Sequence, residues 1–128
     1  IGAVKGFEIG DGFEAARSNG STNNDAFCLK DGQITKKTNH SGGTLGGMSD
    51  GSTVIFRAAI KPTPSISSLQ QTVNSSMEEV DISVKGRHDP IIVPRAVVVV
   101  ESMAALTTVD LLLRNMSASM DHLLRIYR

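Results

Sequence analysis

Three short stretches hold the residues best suited to chemistry. Lys61-Pro62-Thr63-Pro64-Ser65 sets a cation and two hydroxyls among φ-locking prolines, directly behind a run rich in β-branched residues. Such a stiff polar corner suits an anion: Lys61 brings charge, Thr63 and Ser65 bring O–H donors, and the prolines lower the cost of ordering. The same residues also read as a loop feeding a helix around 65–74, with Ser65 as its cap; cap and phosphate contact are compatible roles for one serine. The second stretch is Lys85-Gly86-Arg87-His88-Asp89-Pro90, where Gly86 and Pro90 fix the backbone on either side of three ionisable groups. It reads as a strand-end site or as a solvated turn in which Asp89 pairs with Arg87 and His88 is structural. The third is the glycine-rich run from Asn39 to Gly51, which holds Gly42, Gly43, Gly46 and Gly47. Glycine there either lets backbone N–H groups approach a ligand or makes a flexible connection between strands. It lacks the G-K-[ST] ending of a P-loop and does not fit the dinucleotide fingerprint.

These stretches need elements to position them. Residues 3–9 alternate imperfectly and predict a half-buried strand, followed by a turn at Gly10-Asp11-Gly12 and one or two helical turns over 13–17. Residues 18–25 hold no apolar side chain and predict an exposed loop. Asp31-Gly32 between 26–30 and 33–37 predicts a tight hairpin. Thr53 to Ile60 predicts a strand that Pro62 ends, and Val80 to Val84 alternates as another strand. From Pro94 to about 116, Val, Leu, Met and Ala dominate over Glu101, Asp110 and Arg114, predicting a buried helix; a short helix over about 117–126 follows. The fold class is α+β.

Composition narrows the function. The 128 residues balance 13 Lys+Arg against 13 Asp+Glu, which excludes a strongly basic nucleic-acid binder. Aromatic residues are 4% with no Trp, so any core rests on aliphatic side chains. The single cysteine, Cys28, has no internal partner and points to a reducing, cytoplasmic compartment. No uninterrupted apolar run approaches the roughly 20 residues of a membrane span, so no membrane partner is expected. No residue is assigned to a metal. The opening at Ile1, directly before a strand, suggests a piece of something longer.

Read in order, the stretches carry more than each does alone. Ala3-Val4-Lys5-Gly6-x-Glu8-Ile9-Gly10, Asn39-His40-Ser41-Gly42-Gly43-x-x-Gly46-Gly47, Lys61-Pro62-Thr63-Pro64-Ser65, Gly86-Arg87-His88-Asp89-Pro90 and Pro94-Arg95-Ala96 resemble, in sequence and spacing, the C-terminal part of the chorismate synthases. The resemblance covers residues 1–116. It implies a βαβ sandwich with antiparallel sheet packed on helices, and a tetramer. It implies reduced FMN as cofactor and 5-enolpyruvylshikimate 3-phosphate as substrate, converted to chorismate and phosphate by 1,4-elimination. By position it assigns Gly2, Ala3, Gly46, Lys61, Pro62, Thr63, Pro64, Ser65 and Arg87 to FMN and Asp89 to proton transfer at the flavin. The family's two acid–base histidines and most substrate-binding arginines lie outside this stretch, and His40, His88 and His122 are not those residues. The chain is then the FMN-binding portion of an enzyme, inactive alone; the other reading is a non-catalytic, self-associating α+β module that binds no flavin.

Overall fold

Three strand pairs are hairpins closed by their own turns and a fourth joins strands distant in sequence, in a computed structural model that describes residues 1–127. The chain divides into two compact units, Gly2–Lys61 and a second that opens at Pro62. In the first, β1 (Val4–Ile9) leads into a 3₁₀ turn at Gly12–Arg17. The hairpin β2 (Phe27–Lys30) and β3 (Gln33–Lys36) turns through Asp31 and Gly32, both at positive φ, as a two-residue loop matched to strand twist requires. A second, very short hairpin, β4 (Thr44–Leu45) and β5 (Met48–Ser49), turns through Gly46 and Gly47, also at positive φ.

Sheet pairing in this unit joins β1 to β6 (Phe56–Ile60), antiparallel, with a bulge between Val4 and Gly6. Alternation sorts the side chains to two faces. Phe7 stacks on Phe56 with ring centroids 5.3 Å apart, while the adjacent cross-strand pair Glu8 and Arg57 forms an ion pair at 2.9 Å. The strand expected from Thr53 begins only at Phe56. Residues 53–55 instead run beside the glycine segment, where the Ile55 N–H donates to Gly42 O at 3.2 Å and Ile55 O accepts from Gly10 N–H at 2.9 Å.

The second unit contains the antiparallel hairpin β7 (Gln70–Val73) and β8 (Glu79–Ile82). This corrects the helix reading around 65–74. Asn74 accepts from the N–H groups of Ser76 (2.9 Å) and Glu78 (3.0 Å), and this side-chain turn favours a hairpin over helix propagation. Two helices follow, α1 (Val93–Met116) and α2 (Met120–Tyr127). Pro94 sits in the first turn of α1, where its missing N–H costs nothing.

The expected buried helix is present as a helix but is not buried, for no residue of α1 is enclosed. Its hydroxyls satisfy themselves: Ser102, Thr107 and Thr108 donate to the carbonyls of Val98, Met103 and Ala104. By length and composition alone, α1 is long and apolar enough to cross a membrane. The core helix of a globular protein has the same composition.

Among the described residues, no apolar side chain is fully buried. The accessible surface is 10739 Å² for 13.6 kDa.

Candidate cofactor site

The first unit brings together part of the expected site. Ala3 adopts a positive φ of 63°, rare for a residue with a Cβ, and its carbonyl accepts the Lys61 N–H at 2.7 Å. That bond closes the end of the β1–β6 pair and holds Gly2, Ala3 and Lys61 at one strand end. The Lys61 ammonium forms no ion pair among the described residues. Gly46 lies at the tip of the β4–β5 hairpin, where a Cβ would meet nothing within 4 Å, leaving its backbone open to approach.

Pro62, Thr63, Pro64 and Ser65 belong to the second unit, as do Arg87 and Asp89. Gln70 Nε2 donates to Pro64 O at 3.1 Å, anchoring the proline corner to the start of β7. Thr63 Oγ1 is enclosed yet has no hydrogen-bond partner. An orphaned buried hydroxyl is costly and fits a missing polar partner such as a phosphate oxygen. Each unit, taken by itself, thus offers groups that suit FMN: the free Lys61 ammonium and the uncovered Gly46 turn in the first, the unpaired Thr63 hydroxyl in the second.

Asp89 is not paired with Arg87. Its Oδ2 accepts from Arg95 Nη1 at 2.7 Å, tying the turn to the first turn of α1, and its side chain remains 48% exposed. The solvated-turn reading paired Asp89 with the nearer arginine, but a partner six residues on is selected by the helix that starts between them. His88 Nε2 lies 3.0 Å from Val84 O, a structural contact, and His122 Nδ1 lies 3.3 Å from Asn115 O.

The glycine segment divides in function. Gly42 and Gly43 are the two buried residues among those described. A Cβ on Gly42 would stand 2.3 Å from Gly10 N and 2.8 Å from Ile55 O. Here glycine serves a crossing of the chain over itself, not a ligand, and the run is no flexible connection.

Beside that crossing lies a charged cluster that sequence reasoning missed. Lys36, at the end of β3, points its ammonium at Asp50 Oδ2, at Ser41 Oγ (3.3 Å) and at Asp25 Oδ2 (4.0 Å). The side chains of Lys36, Asp25 and Asp50 are only 5%, 8% and 11% exposed. Residues 18–25 were expected to be wholly exposed; Asp25 turns inward because it caps a loop. It accepts from the N–H groups of His40 (2.8 Å) and Ser41 (2.9 Å) and from the Thr38 hydroxyl (2.7 Å). Burial pushes the Asp25 carboxyl up, but the Ser41 N–H, Thr38 hydroxyl and His40 N–H bonds outweigh it and hold the group far below the usual carboxylate range. The Lys36 hydrogen bond, with help from Ser52, lowers Asp50 as well. Asp11 completes the rim, 2.7 Å from His40 Nδ1 and accepting Asn23 Nδ2 at 2.8 Å. Apart from Ser41, five residues from Lys36, and Ser52, two from Asp50, the partners lie 11 to 29 residues apart and leave no local signal.

The chorismate synthase family model matches residues 1–113. The chain belongs to the chorismate synthase family. Chorismate synthase of Agathobacter rectalis is 70% identical over 128 residues, covering all of this chain and 35% of the relative. That of Archaeoglobus fulgidus is 64% identical over 114 residues, covering 88% of this chain and 32% of the relative. A crystal structure of a chorismate synthase is 44% identical, covers 51% of this chain and 20% of that one, and has a TM-score of 0.48. The chain thus spans about a third of the length of the curated relatives it matches.

Proposed function

We propose that this chain is the C-terminal, FMN-binding portion of a chorismate synthase. The complete enzyme would convert 5-enolpyruvylshikimate 3-phosphate to chorismate and phosphate. Family membership over residues 1–113 carries the reading. The orphaned Thr63 hydroxyl and the unpaired Lys61 ammonium support the choice of a phosphate-bearing cofactor. Reduced FMN supplies the electron-rich ring beside which the elimination proceeds.

The chain's own residues divide the remaining work. Lys61 meets the cofactor phosphate as a point charge, Thr63 and Ser65 donate hydroxyls, and Pro62 and Pro64 hold them in place. The backbone of Gly2, Ala3 and Gly46 meets the ring system, and Arg87 adds a cationic contact. The Asp89 carboxylate would hold and move a proton at flavin N5. Substrate binding falls to residues outside this segment, in an oligomer that is tetrameric by family habit and cytoplasmic, as lone Cys28 suits.

The test is an FMN titration of a full-length protein carrying this segment, beside its Lys61→Ala variant. Losing one charge-assisted contact of about 1.5–3 kcal/mol weakens FMN binding about ten- to hundredfold. Saturating FMN should then restore most of the rate, since the phosphate does not change charge during elimination. A rate that stays low under saturation would remove Lys61 from the cofactor phosphate.

A further inference from the structure

The glycine segment that presents Gly46 cannot set its own geometry. Gly42, Gly43, Gly46, Gly47 and Gly51 all sit at positive φ, and each glycine loses more conformational freedom on folding than any other residue type. Something must hold both of its ends. The two ends converge on a single ammonium, and its ion pairs are the most enclosed among the described residues.

We infer that Lys36 is the positioning residue of the flavin loop, clamping the chain before and after the β4–β5 hairpin so that the Gly46 backbone is presented in one place. The inference rests on the flavin reading above. The entry side is held through Ser41, whose Oγ accepts from Lys36 at 3.3 Å, and through Asp25, which takes the N–H groups of His40 and Ser41. The exit side is held through Asp50, which accepts from Lys36 and from the Ser52 N–H at 2.9 Å. Asp50 N–H in turn donates to Gly43 O at 3.1 Å and closes the base of the hairpin.

Charge explains why a cation is required there. Two ionised carboxylates in an enclosed place leave one negative charge after Lys36 is counted, spread over the backbone donors and the Thr38 hydroxyl. Without Lys36 both carboxylates would be enclosed with no cation, and the two loop ends would repel. The ammonium also lies 6.0 Å from the centre of the Phe27 ring, which lines the same cavity as Asp25, Ser41 and Leu45. Lys36 thereby reaches the cofactor only through the loop, which makes it a positioning residue and not a catalytic one.

The experiment uses a full-length protein carrying this segment, with Lys36→Met and Lys36→Arg. Amide hydrogen exchange reads the loop, and FMN titration with steady-state kinetics reads its consequence. Lys36→Met should speed exchange at Gly43 and Asp50 by about tenfold or more, leave Thr72 of β7 unchanged, and raise KM for FMN about tenfold. The value of kcat at saturating FMN should stay within about threefold, and Lys36→Arg should restore loop protection and KM together. If Lys36→Met fails to fold, Ser41→Ala removes a single ammonium partner and should move the same two readouts in the same direction. Unchanged exchange at Gly43 and Asp50 overturns the inference, as does faster exchange with unchanged KM for FMN or faster exchange everywhere. A wild-type protein that binds no FMN overturns the flavin reading instead, and loop exchange alone then decides whether Lys36 sets the loop.

Discussion

At the scale of single residues, the decisive question is what Asp89 does beyond holding Arg95. The contact at 2.7 Å anchors the start of α1, and a purely structural role would end there. Asp89→Asn keeps size and one acceptor while removing the base. In a full-length, FMN-saturated protein we expect turnover to fall about 10²–10⁴-fold with FMN affinity nearly intact. Arg95→Gln separates the readings, because it breaks the anchor and leaves the carboxylate. Should Arg95→Gln match the kinetic loss of Asp89→Asn, the carboxylate is an anchor and no more. Asp25 gives a pH prediction. Its folded pKa lies below its unfolded value, so its contribution to stability is present above about pH 4 and drains away as acid protonates it. The difference in melting temperature between wild type and Asp25→Asn should therefore shrink steadily from pH 5 to about pH 2. A constant difference would mean the carboxylate is not held ionised by its donors.

At the scale of elements, two glycines of one segment serve different ends, and substitution should tell them apart. Gly42→Ala drives a Cβ to 2.3 Å from Gly10 N at a φ of 63°, a clash between two backbones that cannot yield. We expect a loss of about 3 kcal/mol or more, read by denaturant unfolding. Gly46→Ala meets open space, so only its positive φ is penalised, by about 1 kcal/mol. Its larger effect should be on FMN affinity. Equal destabilisation by both would contradict the division of the segment into crossing and presenting halves. The hairpin at Asp31-Gly32 follows from local turn chemistry, whereas the Gly46-Gly47 hairpin went unread and β7 was read as part of a helix. Its Gln-Gln-Thr-Val sequence carries weak propensity, and the Asn74 turn that decides it lies outside the strand.

At the scale of the whole molecule, apolar side chains in both units await cover. Val97, Val98, Leu106 and Leu111 to Leu113 on α1 are all exposed, as is Phe7 on β1. Large uncovered apolar surface drives association. The isolated 128-residue chain should therefore self-associate, with mass by light scattering rising with concentration. A steady monomer across a concentration series would show that these faces tolerate water, against the reading of α1 as a core helix.

The sequence by itself determined the turns, the α+β class, the length of α1 and the family, because each is written in local spacing or in ordered motifs. Asp31-Gly32 dictates its turn through φ, and Pro94 fixes a helix start through its missing donor. Only the tertiary structure decided the partners. Asp89 meets Arg95 because a helix begins between them, and Asp25 turns inward because its donors lie 13 to 16 residues away. Lys36 joins two carboxylates that lie 11 and 14 residues off along the chain. Such pairings depend on where the β2–β3 hairpin returns the chain, and no local pattern encodes that distance.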